Sequence, residues 1–292
     1  MQFEFTRNEN DPENLKAFLN SRGISHRMYR GLKDAGNRIF VDGNQADPAA
    51  KLNEGAVVGV SFPDEQSDPN VAVSDQPISV VYEDSNWLIF DKPAGLTVVP
   101  GPANREDTLV NRIKGHWQRN GEVNLVPHII TRLDRFTSGL VLVAKHRFAN
   151  SLANELSDKK LIHKEYFAIV SGNGLDKHAH IDKPIAKDPD GFGQMISDGG
   201  KSADTEYWVE EQTDMWTTVR VILHTGRTHQ IRVHFAAIGH PVLGDELYSG
   251  PLDLGINRQA LHAKELAFDD PFTNEKRSFV APIPEDMKAI ID

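Results

Sequence analysis

Ile130-Thr131-Arg132-Leu133-Asp134-Arg135-Phe136-Thr137-Ser138-Gly139-Leu140 runs without a break into the apolar stretch Val141-Leu142-Val143-Ala144. The first part sets one carboxylate between two arginines beside a small-residue turn; the second reads as a buried strand. Nearby positive charge favours the ionised form of an acid, the form a carboxylate nucleophile or base must have. The same residues also describe a surface Arg–Asp–Arg ion-pair cluster, and local sequence alone does not separate the two. Partners elsewhere in the chain decide between them.

The chain has 292 residues, 39% of them hydrophobic and 25% charged, the make-up of a soluble globular protein with one large core or two unequal domains. No run approaches the roughly 20 apolar residues of a membrane span. Met1-Gln2-Phe3-Glu4-Phe5-Thr6 lacks the basic-then-apolar order of a signal peptide, which points to the cytoplasm. Zero cysteines remove disulfides, thiolate catalysis, Cys-ligated zinc and iron–sulfur clusters from consideration. The net charge of -10 is unevenly spread: residues 63–91 hold seven acids and no Lys or Arg, whereas residues 112–147 hold seven basic residues against Glu122 and Asp134. Phosphate contacts need only a local basic surface, so the acidic total leaves RNA open as a partner.

Working back to the N-terminus, Asp11-Pro12 predicts a helix start, and Leu15, Phe18 and Leu19 have the spacing of a helix burying one face. Arg22-Gly23 ends that helix, Ser25 caps a second one carrying Met28 and Leu32, and Gly36 closes it. Strands are expected at Arg38–Val41 and Val57–Val60, separated by an Asp42-Gly43-Asn44 turn. Arg27, Arg30 and Lys33 recur every three residues on the second helix, a basic stripe that suits RNA as well as a solvated face. Residues 63–77, with three prolines and four acids, read as a flexible acidic linker. Beyond them a hairpin is expected at Ile78–Tyr82 and Trp87–Phe90, then a helix capped by Asp107, a helix around Phe148–Leu156, strands at Lys164–Val170, Asp204–Val209 and Thr217–Leu223, a helix over Thr228–Ile238 and a strand at Leu261–Phe268. Strand-rich segments without regular βαβ alternation predict an α+β fold.

Two further segments carry chemistry. Thr225-Gly226-Arg227-Thr228-His229-Gln230-Ile231-Arg232-Val233-His234 predicts a tight turn with Thr228 capping a helix, leaving Arg227 at the helix entrance. His229 and His234 suit packing or capping better than metal binding, and no His-Glu-x-x-His spacing or carboxylate–histidine cluster stands out. Lys164-Glu165-Tyr166-Phe167-Ala168-Ile169-Val170 puts Tyr166, Ala168 and Val170 on one face of a strand. A Tyr so placed suits a core position as well as an active site.

Taken in order, these segments, with Asp91-Lys92-Pro93-Ala94-Gly95-Leu96 and Leu261-His262-Ala263, resemble the RluA-type pseudouridine synthases from about residue 78 to the C-terminus. The first 62 residues resemble the small RNA-binding module known from the ribosomal small-subunit S-four protein. The resemblance implies a small N-terminal α+β RNA-binding domain (1–62), an acidic linker (63–77) and a catalytic domain (78–292) built on a mixed, largely antiparallel sheet with flanking helices and a central cleft. It implies cofactor-free, metal-free isomerisation of uridine to its C5-glycoside in structured RNA, ribosomal RNA of the large subunit first and transfer RNA second, by a monomer. By motif position Asp134 is the implied catalytic aspartate and Arg227 its partner. The resemblance likewise implies that Arg132 helps displace the target nucleotide, that Tyr166 stacks near the uracil and assists proton removal, that Leu261 lines the base pocket, and that Arg27, Arg30 and Lys33 bind RNA. One departure stands out: the family commonly has His before Arg-Leu-Asp, where this chain has Thr131.

Overall fold

Residues 1–62 form a unit of two helices on a small sheet. Strand β1 (Gln2–Thr6) is followed by helices α1 (Leu15–Ser21) and α2 (His26–Asp34), strands β2 (Ile39–Val41) and β3 (Asn44–Gln45), and β4 (Val57–Ser61). The sheet order is β1-β4-β2-β3, antiparallel throughout. Asn14, rather than Asp11, caps α1 by accepting from the Ala17 N–H (3.1 Å). Asp11 instead binds Arg22 at the far end of the helix. Ser25 caps α2 as expected. Asp42 and Gly43 take left-handed conformations (φ 50° and 80°), the backbone a two-residue hairpin turn demands. Tyr29 and Leu32 are buried, while Arg27, Arg30 and Lys33 are exposed on the opposite side of α2. The structure is a computed structural model and describes residues 1–292 except Pro48, Ala103 and Phe192.

The rest of the chain adds β5 (Val80–Glu83), β6 (Trp87–Lys92), α3 (Leu109–Arg119), β7 (His128–Ile129), β8 (Ser138–Ala144), α4 (Arg147–Asp158), β9 (His163–Ser171) and β10 (His178–Asp182). It continues with β11 (Ile185–Lys187), β12 (Gln194–Ile196), β13 (Asp204–Gln212), β14 (Trp216–Leu223), α5 (Gln230–Ala237), β15 (Leu261–Asp269), β16 (Lys276–Val280) and α6 (Glu285–Ile291). Ten of these strands make one sheet, ordered β10-β13-β14-β9-β15-β8-β6-β5, with β16 on β15 and β7 on β8. The β15–β8 pair is parallel and the other pairings of this sheet are antiparallel, so the sheet is mixed and largely antiparallel, as expected for this α+β chain.

The parallel junction decides where the Arg132–Thr137 turn sits. Gly139 has φ +111° and lies so close to β15 that a Cβ would fall 2.2 Å from the Ala263 carbonyl oxygen, so only glycine fits. Beside it the Ser138 hydroxyl meets His262 Nδ1 at 2.9 Å in the buried interior. The turn is thereby held at the middle of the sheet rather than at an edge.

Two expectations need correction here. Residues 63–77 carry no helix or strand, but they do not hang free. Asn111 of α3 donates to the Ala72 carbonyl and accepts from Ser74 N–H through its own carbonyl (2.8 and 3.1 Å), Lys114 donates to Asp68 and Val71, and Glu65 accepts from Arg147 N–H (2.7 Å). These bonds seat the segment on the rest of the chain, against the self-repulsion its acids suggested. Asp107 does not cap α3; Thr108 does, in a reciprocal box with Asn111, and Asp107 pairs with Arg112. The N-terminal unit packs on α4, where Phe148 contacts Phe3 (4.8 Å between ring centroids) and stacks on Phe62 (5.6 Å).

Two buried imidazoles tie stability to pH. His146 caps α4 by accepting from Ala149 N–H at Nδ1 (3.1 Å), and burial pushes it down to about 4; burial does the same to His262. Both fold neutral, and an unfolded His titrates near 6.5, so between those values the unfolded chain holds more protons. The stability they carry is present above pH ~6.5 and lost as pH falls towards ~4, a few kcal/mol together. Thermal unfolding followed from pH 8 to 4 is expected to show this loss. His146→Asn, which caps without titrating, should flatten part of it; an unchanged slope in that variant would refute the assignment.

Candidate active site

Asp134 stands in a cleft of about 470 Å³ whose walls include Arg132, Lys164, Tyr166, Arg227, His229 and Leu261. Its carboxylate is 27% exposed, enough to meet a ligand and little enough to be ordered by neighbours. The loop carrying it is clamped from below. Lys92, wholly buried at the end of β6, donates from Nζ to the carbonyls of Pro93, Leu96 and Arg135, each at 3.0 Å. Burial pulls this ammonium down to about 7, against the opposing pull of Asp134. Arg135 Nε donates to the Gly95 carbonyl and Gly95 N–H to the Arg135 carbonyl (3.0 and 2.9 Å). From the other side Arg258 donates to the carbonyl of Phe136 (3.3 Å) while bound in bidentate fashion to Asp286.

Asp134 pairs with neither of its sequence neighbours nor with Arg227, so that expectation is corrected. Its cation is Arg232, whose Nη1 donates to Asp134 Oδ2 at 3.1 Å. Arg232 is 7% exposed and is itself gripped by Asp245, 1% exposed, through Nε (2.6 Å) and Nη2 (2.8 Å). Burial opposes its charge, but Asp245 and then Asp134 outweigh it and raise the guanidinium further. A bidentate grip of this kind fixes the orientation of the planar guanidinium, and hence where its free edge points.

The reason lies in how α5 begins. Thr228 does not cap it; His229 takes that place in a left-handed conformation (φ 54°) without a side-chain cap. Gln230 does the anchoring: its Oε1 accepts from Thr225 Oγ1 and Arg227 N–H, and its Nε2 donates to the Asp204 carbonyl and Thr205. This turns Arg227 outward, where Nε donates to the Ser202 carbonyl (2.9 Å), and brings Arg232 in the first turn of α5 to Asp134.

A second chain of contacts reaches Asp134 through His229. Tyr248 oxygen accepts from Gln194 N–H (2.8 Å) and lies 2.8 Å from His229 Nδ1. With the hydroxyl proton assigned to that nitrogen, His229 Nε2 carries hydrogen towards Asp134 Oδ2 at 3.9 Å. Burial lowers this imidazole below its ordinary value, Asp134 opposing. Tyr166 is 8% exposed, and burial, reinforced by the Asp134 charge, pushes its phenol above the ordinary range. Its phenol therefore keeps its proton near neutral pH and can act as a hydrogen-bond donor in the cleft. Thr131, where a His is common, accepts from the Leu142 N–H (2.8 Å) and so ties the approach to the Asp134 turn onto β8. Arg132 is exposed at the cleft; Leu261, 4% exposed, forms part of its floor.

Sequence spacing did not single out Arg232, Asp245, His229, Tyr248 or Lys92 for these positions. Arg232 and Asp245 lie 13 residues apart with no periodicity linking them, and Lys92 is brought to the Arg135 carbonyl across 43 residues by strand pairing. The structure supplies the reason the Arg232 charge needs a partner: α5 is buried from Gln230 to Phe235, and tertiary packing rather than local sequence sets that burial.

The fold and the cleft, with its carboxylate–guanidinium–carboxylate chain, describe an enzyme site for a polar ligand, and comparison with known proteins makes the class specific. Residues 86–237 match the family model described as RNA pseudouridylate synthase. The uncharacterized RNA pseudouridine synthase YjbO of Bacillus subtilis (strain 168) is 36% identical over 278 residues, 95% of this chain and 98% of its own. A ribosomal large subunit pseudouridine synthase D of Xanthomonas campestris pv. campestris is 37% identical over 86% of this chain and 80% of its own. Among solved structures, human RNA pseudouridylate synthase domain containing 1 superposes with a TM-score of 0.61 over 74% of this chain and 89% of its own at 24% identity, a likeness of fold. The chain belongs to the RNA pseudouridylate synthase family. It is an RNA pseudouridine synthase, an isomerase acting on uridine in RNA. Among the described residues no helix is long and apolar enough to cross a membrane.

Proposed function

We propose that this synthase modifies uridine in large-subunit ribosomal RNA, with Asp134 as the catalytic carboxylate and residues 1–62 as an S-four-type RNA-binding module. The observation that carries the site assignment is the Asp134–Arg232–Asp245 chain, which holds one partly exposed carboxylate in a cleft beside Tyr166 and Leu261. The ribosomal assignment rests on relatives named as large-subunit synthases.

The chemistry asks little beyond these residues. The C1′–N1 bond breaks, the uracil turns, C5 joins C1′, the C5 proton is given up and N1 takes one up in its place, so nothing is oxidised and the product is an isomer. Charge develops at the sugar as the glycosidic bond breaks, and a preorganised carboxylate stabilises or captures that centre. The target nucleotide must leave its stack at a cost of a few kcal/mol. Arg132, exposed at the mouth, fills the space it vacates. Tyr166 stacks on the uracil and hydrogen-bonds it, Leu261 supports its edge, and Arg227 binds backbone phosphate. Arg27, Arg30 and Lys33, exposed along α2, add phosphate contacts that raise affinity more than base choice.

Two measurements test this together. Pseudouridine maps of cells lacking the gene are expected to lose one or more sites in large-subunit ribosomal RNA; loss confined to transfer RNA overturns the substrate assignment. Replacing Arg27, Arg30 and Lys33 together by Ala is expected to weaken binding to a structured ribosomal fragment at least about tenfold and to lower the salt slope by roughly three phosphates' worth. Turnover at saturating RNA should be unchanged. Unaltered affinity would remove the stripe from the RNA surface.

A further inference from the structure

The face of the ten-stranded sheet opposite the cleft carries a second cluster. Cross-strand neighbours in an antiparallel sheet share a face. His180 pairs with Glu206, Glu206 with Ile222 and Ile222 with Glu165, whereas Ala179, Tyr207, Val221 and Tyr166 form the adjacent row on the cleft side. On the far face His178 Nε2 lies 2.8 Å from Glu206 Oε1, and His180 Nε2 lies 3.3 Å from the same oxygen. Their ligand atoms all fall within 4.8 Å of one another.

We propose that His178, His180 and Glu206 form a binding site for a divalent transition cation of the zinc type, with water completing a tetrahedron. Zn–N and Zn–O bonds near 2.0–2.1 Å put tetrahedral ligand atoms ~3.3 Å apart. The observed separations need only a small outward shift of exposed imidazoles to admit the ion. The ligand types are those zinc takes in the absence of cysteine, and Mg²⁺, an oxygen-seeking ion, is disfavoured.

What separates this cluster from an ordinary surface ion-pair group is that each ligand has its own support. His180 Nδ1 is 2.9 Å from Asp204 Oδ1, the carboxylate–histidine arrangement that fixes a metal-binding tautomer with Nε2 towards the ion. His178 stacks on Trp208 (4.6 Å, 8° between planes), and Arg220 lies over the same indole (3.8 Å). The second oxygen of Glu206 is held by His224 Nε2 at 2.8 Å. His178 and His180 come from β10, the edge strand, and Glu206 from β13, so the bound ion staples the edge of the sheet. Asp204 also accepts from Gln230 through its carbonyl, which links the site mechanically to the turn before α5.

The test uses the full chain without an affinity tag. One equivalent of CoCl₂ is expected to give the visible absorption bands of a tetrahedral Co²⁺ site, bleached by ZnCl₂, and ZnCl₂ should raise Tm by a few degrees where MgCl₂ does not. His180→Ala should abolish both signals, Asp204→Asn should weaken binding roughly 10–100-fold, and His26→Ala, an exposed histidine elsewhere, should change neither. Because the altered side chains are on the surface, metal-free Tm reports whether each variant folds. Absence of a Co²⁺ band and of a Zn²⁺-dependent Tm shift in the unaltered chain, or retention of both in folded His180→Ala, overturns the site.

Discussion

Asp134→Asn is expected to abolish pseudouridine formation, a fall on the order of 10⁴-fold or more, while the protein folds and binds RNA nearly as before. The side chains are isosteric, and an Asn oxygen can still accept from Arg232 Nη1, so the contact at 3.1 Å survives in neutral form. The clamp beneath the loop, formed by Lys92, Arg135 and Arg258, uses backbone carbonyls and is untouched. What is removed is the negative charge on which the proposed role of Asp134 depends. Release of the uridine C5 hydrogen from labelled RNA measures turnover, and filter binding measures affinity. Turnover within tenfold of the unaltered enzyme would sink the proposed role of Asp134.

Arg232→Met has the largest expected effect on stability, and its logic separates folding from catalysis. Asp245 is 1% exposed and loses both guanidinium bonds, leaving a buried charge without its partner, which costs about 3–5 kcal/mol. Adding Asp245→Asn removes the stranded charge and should recover much of that loss. Turnover should stay depressed in the double variant, because Asp134 still lacks its cation. A double-mutant cycle in Tm and in C5-hydrogen release reads the two quantities independently. Recovery of turnover in step with stability would reduce Arg232 to a structural role.

Much of this molecule was legible before any coordinates. Alternating or continuous apolar runs marked β8, β9, β14 and β15, because strand burial leaves its period in the chain. Ser25 announced α2, and Asp42-Gly43 its hairpin turn, because caps and left-handed turns are local chemistry. The segments around Asp134, Tyr166, Arg227 and Leu261 do meet in one cleft. Local cues failed where neighbouring residues competed to start the same helix. Asn14 displaced Asp11 as a cap, Thr108 displaced Asp107, and His229 took the place expected for Thr228. Both displaced aspartates are held by arginines instead, Asp11 by Arg22 and Asp107 by Arg112.

The chain order of residues alone determined the α+β class, the strands and helices that line the cleft, and the carboxylate within it, because these depend on near neighbours. Which arginine meets that carboxylate was decided by tertiary structure. Arg227 and Arg232 belong to one motif, and only the docking of Gln230 against Asp204 and Thr205 turns the first outward and the second in. The same holds for the seating of residues 63–77 on α3 and for the histidines gathered around Glu206. Ion pairs and metal-type clusters are set by through-space distance, and strand pairing brings together residues whose separation along the chain carries no periodic trace.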